Sequence, residues 1–289
     1  YLYLIPFNKG LTVSPILDAF VDWIWDTFFF YLNTFNIFLL TNVLGPMKQA
    51  YLNMPVVSTF VLFMGAGYII GGIRSCLIVG SLILFIALSE YWDRTLITLY
   101  MATFAVGVSA FSGIIVGSLC SQNDFASKTI LSICDFFQTF PSFIYLIPVI
   151  LLFGITDTSV MIAAIVYASV PATRYTVEGL RSVPSSLHDA GAMSGVSKLQ
   201  RWRLIDLPLA LPHIMLGINQ TVIFALMMIV LGALIGTEDL GQLIMGSLSR
   251  PNGAGIGFTL GIFISFICLA VDNLIRTWAD ERKKLLGIN

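Results

Sequence analysis

Charge is what this sequence has least of. Only 11% of its 289 residues are Asp, Glu, Lys or Arg, against 57% hydrophobic, and the mean hydropathy is +0.89. A soluble domain carries about 25% charged residues, so this chain cannot clothe itself in water, and lipid must cover the rest. The net charge of −1 supplies no basic field for nucleic acid. Histidine is nearly absent: His188 and His213 are too little material for a His-based catalytic or metal site. The four cysteines, Cys76, Cys120, Cys134 and Cys268, have no metal-ligand spacing and read as small buried hydrophobes. No Gly-x-x-x-x-Gly-Lys-Ser/Thr run occurs, so the phosphate cradle of an ATPase is missing. The expectation is therefore a chain with no catalytic residue, no metal and no cofactor of its own. No secretory signal opens it, and its start at Tyr1 rather than methionine leaves room for residues upstream.

What is present is a series of long apolar runs. A helix needs about 20 mostly apolar residues to cross the hydrocarbon core, with its backbone groups satisfied internally. Seven runs are candidates, the second and fourth of them short: Pro55–Ile73, Cys76–Trp92, Thr95–Leu119, Phe140–Phe153, Ser159–Tyr175, Leu209–Leu234 and Gly257–Leu274. The fold class is thus an all-α polytopic membrane protein. Pro148 is expected to kink the fourth span. Gly67-x-x-x-Gly71 and Gly113-x-x-x-Gly117 would let helices approach closely.

Residues 1–54 read differently from residues 55–289. Asp18, Asp22, Asp26, Asn33 and Asn36 share one face, within an arc of about 80° at 3.6 residues per turn, and aromatic and aliphatic residues fill the remainder. That pattern describes an amphipathic helix lying in the membrane interface. The rival is an eighth span through Thr27–Met47. Lys and Arg gather on the cytoplasmic side of membrane proteins. With seven spans and the N-terminus outside, eleven of the fifteen fall inside, the exceptions being Lys9, Lys48, Arg94 and Arg250. The C-terminus is then cytoplasmic.

The longest polar interruption, residues 178–208, lies inside on this topology. It reads as two short helices. Pro184 suits a first helical turn, and a helix through Leu187–Ser194 meets Gly195, which suits a left-handed helix end. Ser197 and Gln200 complete a capping-box pattern for the second helix, which Pro208 is expected to end.

Here a resemblance appears. Asp189-Ala190-Gly191, Gly195 and Ile205-x-Leu207-Pro208 resemble the EAA motif of ABC-importer permeases, with every spacing kept. Asp189 stands for Glu and Gly191 for the second Ala. The segments Asp135–Pro141, Tyr145–Pro148, Leu152–Ile155, Leu207–Pro212, Gly217–Thr221 and Leu240–Gln242 look like the glycine betaine/proline betaine branch of that family. The resemblance implies a type I importer transmembrane domain of the MetI-like kind. It also implies partners: two ABC ATPase subunits that bind ATP and Mg, a periplasmic or tethered substrate-binding protein, and a second permease copy. In that family the loop is the coupling helix, which docks on the ATPase subunit. The implied cargo is glycine betaine or a related compatible solute; choline, carnitine, proline betaine and trimethylamine N-oxide stay open.

An ion-gradient-driven secondary transporter is the rival class, and such carriers often show an inverted repeat with paired broken helices; none is evident between the halves here. The acids Glu90, Asp93, Asp157, Glu178 and Asp272 fall near expected span ends, which argues against a proton relay through the bilayer centre. Phe143, Tyr145, Asn219, Gln220 and Met227 are candidates for lining the substrate path, since they belong to helices flanking the coupling loop. Helix–helix packing and interhelical hydrogen bonding explain Asn219 and Gln220 equally well. The glycine-rich stretch 238–255 is expected outside.

Overall fold

The computed structural model describes residues 14–285, all helix and connection, with no strand among them. Lys9 lies outside the described residues, as do the side chains of Asp18 and His188. Among the described residues twelve α-helices follow one another. The first two, α1 (Ser14–Leu39) and α2 (Gly45–Leu52), are joined by a π-helical turn at Leu40–Leu44 into one rod. Then come α3 (Val56–Ala87), α4 (Trp92–Cys120), α5 (Asp124–Thr139), α6 (Leu146–Phe153) and α7 (Asp157–Arg181). Two short helices, α8 (Ser185–Met193) and α9 (Lys198–Arg201), precede the long α10 (Leu207–Gly232), and α11 (Leu240–Leu248) and α12 (Ala254–Leu285) complete the chain. Six helical stretches are long and apolar enough to cross a membrane, seven when the bent α5–α6 pair counts as one. The protein is membrane-embedded and multi-pass.

The expected first two spans are the two arms of α3, which is broken at Gly71 and Gly72, the latter at φ +64°. A Cβ added at Gly67 would stand 3.0 Å from Cys76 Cα, and one at Gly80 would stand 3.1 Å from Met64 Cγ. In a straight helix those pairs would be about 13 and 24 Å apart. The arms therefore double back as a hairpin, and a left-handed glycine makes the reversal. Trp92, expected to close the second arm, instead opens α4, because the chain turns at residues 88–91.

The fourth expected span, Phe140–Phe153, is corrected more deeply. The unit is α5 followed by α6, bent by 105° at Phe140–Pro141. Pro141 has no N–H to continue the helix and forces extended backbone on Phe140 (φ −73°, ψ 137°). Pro148 sits in the first turn of α6, where a missing N–H disturbs nothing, so the kink expected there falls seven residues earlier. Pro208 does not end the second loop helix either. From Lys198 to Ile235 the helix is continuous, passing through a π-helical turn at Trp202–Asp206 with Pro208 in the first turn of α10. The wide turn absorbs the carbonyl that the proline ring would otherwise clash with.

The core sits around α7, which packs between α4 and α10. Small residues make this possible. Ala163, Ala164, Ala168 and Ala172 of α7 are buried, and Gly113 and Gly117 of α4 lie against Ala172, Thr173 and Thr176. Both Gly-x-x-x-Gly pairs thus stand at close approaches. Between apolar helices in lipid, such contact surface and interhelical hydrogen bonds replace the hydrophobic drive available in water.

Candidate functional site

At the end of the bundle where α7 gives way to α10, the loop forms an elbow held by local chemistry. Helix α8 closes in a Schellman arrangement: Val196 N–H donates to Gly191 O at 3.2 Å, and Gly195 takes φ +72°, the left-handed position that favours glycine. Ser197 Oγ accepts from Gln200 N–H at 3.3 Å, and Gln200 Oε1 accepts from Ser197 N–H at 2.9 Å. The capping box read from the sequence is complete.

The motif residues divide between two faces of this elbow. Asp189 and Ala190 are exposed, together with Met193, Leu199 and Leu204. Gly191 is buried, and a Cβ there would meet Ile205 Cδ1 at 3.2 Å; the two halves of the motif touch at this point. Leu207 packs on Leu180, Ala210 and Ile214, a small apolar cluster that also takes in Ile114. Pro208 is half-buried at the start of α10. One face is therefore presented outward, and the other is anchored on α4, α7 and α10. Arg201 Nε stands 3.4 Å from Asp206 Oδ2 across the π-helical turn. The contact at Gly191 is with the flexible end of Ile205, so Gly191→Ala should be accommodated. Ala is about 1 kcal/mol the better helix former, offset by the small shift of Ile205. An unfolding midpoint close to the parent's, measured by thermal unfolding in detergent, is the expected result.

The candidate path residues do not all come together. Tyr145 is buried; its hydroxyl donates to Phe137 O, and its ring lies 5.2 Å from Tyr167. Tyr167 in turn stacks on Phe224 at 4.9 Å and 18°, with its hydroxyl 4.0 Å from Met227 Sδ. Phe143 is half exposed in the 3-10 turn Ser142–Tyr145. Gln220, Phe224, Pro171, Arg174, Tyr175, Glu178 and Gln138 line a cavity of about 350 Å³. Arg174 pairs with Asp135 at 2.6 Å and Glu178 at 3.0 Å. Asn219 lies elsewhere, buried on the α12 side, where its Nδ2 donates to Asp272 Oδ1 at 2.6 Å. Asp272 also receives Arg276 Nε at 2.6 Å. It stands well inside α12 rather than near a helix end, because α12 continues to Leu285. Tyr167 and Phe224 escaped sequence reading; Phe224 lies one turn from Gln220 and Met227, whereas Tyr167 stands on α7, which carried no candidate.

A second polar constellation lies at the opposite end of the bundle. Lys48 Nζ is 3.1 Å from Glu238 Oε2 and 3.8 Å from Asp157 Oδ2, and Tyr100 Oη donates to Asp157 at 2.8 Å. Arg94 donates to Glu238 O at 2.7 Å, and Leu240 N–H donates to Thr98 Oγ1 at 3.1 Å. Four helices, α2, α4, α7 and α11, meet there with the connection before α11, far apart in sequence, so no local pattern announces them. The hydrogen bond and charge of Lys48 hold the Glu238 carboxyl below its ordinary range. Asp239, fully buried as the N-cap of α11, is pushed up to about 6 by burial, against the pull of the Gln242 and Gly241 N–H groups. Its proton is retained on folding, so it contributes stability below the ordinary carboxylate value of 3.8 that is lost as pH rises through about 6. Between those pH values the unfolding midpoint of the parent should fall relative to Asp239→Asn, followed in detergent. Parallel curves would show that Asp239 does not titrate there.

Comparison with known proteins gives the arrangement its context. The family described as binding-protein-dependent transport system inner membrane component matches residues 109–284. The chain is 61% identical over its whole length to the trimethylamine N-oxide transport system permease protein TmoV of Pelagibacter ubique, and 40% identical over 86% of its length to the TmoV protein of Ruegeria pomeroyi. It spans 40% and 37% of those two proteins. It is also 30% identical to the glycine betaine transport system permease protein OpuAB of Bacillus subtilis, covering 94% of this chain and 96% of that protein. The matched region takes in α7, the α8–α9 elbow, α10 and nearly all of α12, so the chain belongs to the family of binding-protein-dependent transport system inner membrane components.

Proposed function

We propose that this chain is the permease subunit of an ATP-driven importer for a small methylated amine. Trimethylamine N-oxide is the first candidate and glycine betaine the second. The observation that carries the reading is the elbow: exposed Asp189, Ala190 and Met193 on one face, and Gly191, Ile205 and Leu207 tied into the helices on the other. A partner that pushes α8 would move α7 and α10 together, because Leu207 and Ile205 leave little slack. ATP and Mg belong to two ATPase subunits, and the cargo arrives on a binding protein. A second permease copy completes the path.

On this reading the elbow faces the cytoplasm, and the Lys48–Asp157–Glu238 constellation faces outward. The basic last turn of α12, with Arg282, Lys283 and Lys284, supports the same orientation. The rod α1–α2 lies along the outer surface. Asn36 donates to Phe153 O at 3.2 Å and Lys48 reaches Asp157. These two contacts are about 18 Å apart along the rod, yet they meet residues on either side of the short α6–α7 connection. A crossing rod would carry them to different depths.

The names of the relatives support the cargo class, and the aromatic series Tyr145, Tyr167 and Phe224 fits it. Methylated ammonium groups rest on ring faces at about 0.5–2 kcal/mol per contact. The deciding experiment is reconstitution of the full-length protein in vesicles with its ATPase and binding protein. Labelled trimethylamine N-oxide should enter only when ATP is supplied to the ATPase side. Uptake by the permease alone, driven by an ion gradient, would establish the secondary-transporter reading instead.

A further inference from the structure

A second cavity, larger than the one lined by Gln220 and Phe224, is not part of the path just described. It encloses about 830 Å³ at the elbow end, between the last turns of α4 and α7, the start of α5, and α9. Two kinds of surface meet in it. Arg181, Lys198, Arg201 and Trp202 supply polar groups, while Ile115 and Leu119 of α4 form an apolar side. The acids of the cavity are already engaged: Asp124 pairs with Arg181, and Asp206 lies 3.4 Å from Arg201 Nε. Lys198 makes no ion pair among the described residues. Two further donors, Trp202 Nε1 and Ser118 Oγ, are buried without a hydrogen-bond partner. An unpaired buried donor costs about 1–3 kcal/mol, so a ligand that accepts hydrogen bonds would recover that cost.

The shape of the mouth identifies the ligand. Val108, Phe111, Ile115 and Leu119 recur at helical spacing on α4, and all four are exposed. They form an apolar stripe that ends in the cavity. A free phosphate would use the cations and ignore the stripe. An amphiphile uses both.

We infer that this cavity binds one anionic phospholipid, its phosphate held by Lys198, Trp202 and Ser118 and an acyl chain laid along the α4 stripe. Basic pockets between membrane helices on the cytoplasmic side are suited to such headgroups. The inference needs the chain to span a bilayer but does not depend on the cargo. The lipid would lie beside Trp202 and Arg201, at the root of the elbow, and would brace α9 against α4 and α7.

The test uses the full-length protein in phosphatidylcholine nanodiscs containing a minor fraction of lipid brominated on its acyl chains, which quenches nearby tryptophan. Brominated phosphatidylglycerol should quench more than brominated phosphatidylcholine. The excess should vanish in Trp202→Phe, which shows that it arises in this cavity rather than at the other four tryptophans. Lys198→Gln should lower the preference for phosphatidylglycerol about fivefold, the effect of about 1 kcal/mol per basic residue near an anionic surface. Retained circular dichroism would show that both variants fold. Equal quenching by the two lipids, or a preference untouched by Lys198→Gln, overturns the proposal. Displacement of the excess by millimolar inorganic phosphate would mark a soluble-anion site instead. Its loss on adding the ATPase subunits would mean that protein, not lipid, fills the cavity in the assembly.

Discussion

Replacing Gly195 by proline is expected to leave the chain in the membrane while reducing ATP-driven uptake on the order of 100-fold, the population loss that about 3 kcal/mol of misplaced proline imposes. The residue ends α8 at φ +72°, and proline is locked near −65°. The substitution therefore removes the reversal that directs the chain from α8 into the Ser197 cap. Ile205 would lose its seat against Gly191, and a push on α8 would no longer reach α10. Gly195→Asn is the control, since Asn tolerates the left-handed region; it should keep most of the uptake. ATP hydrolysis and uptake should be measured together in the reconstituted assembly. Hydrolysis persisting without uptake is the expected signature in the proline variant. Coupled transport at parental rate in Gly195→Pro would remove the elbow from the mechanism.

The second large effect belongs to the α4–α7 contact. Gly113→Leu should lower stability by about 3 kcal/mol or more, at the upper end of what overpacking costs. A Cβ at Gly113 would stand 2.5 Å from Ala172 Cβ, 2.9 Å from Thr173 N and 3.0 Å from Ser169 O. Two of those atoms are backbone, so relief requires the helices to separate, and with them the crossings that α7 makes with α10. Gly107 on the same helix has nothing within 4 Å of its Cβ position, so Gly107→Leu should be nearly neutral. Thermal unfolding of the two variants in detergent compares them directly. Equal losses would mean that the α4–α7 crossing does not set the cost, since helix propensity favours Leu over Gly at both positions.

These cases show where sequence reading succeeds. The elbow was legible because caps are local: Gly195, Ser197 and Gln200 act within a few residues, and the structure realises the capping box and the left-handed helix end. The α3 arms were legible because apolar length is local too. Proline was misjudged twice for the opposite reason. Pro148 sits in the first turn of α6, where it disturbs nothing, and Pro208 follows a π-helical turn that accommodates it without ending the helix, whereas Pro141 produced the bend. Position within a helix decides what proline does, and neighbouring helices set that position.

The amino-acid sequence by itself determined that the protein is a membrane-embedded bundle of helices with a capped elbow, because composition and backbone chemistry leave lipid few alternatives. Only the tertiary structure decided which polar groups meet. Lys48 with Asp157 and Glu238, and Asn219 with Asp272, come from helices whose mutual rotation is set by small-residue crossings. That rotation is a property of the packed bundle, and no single helix encodes it.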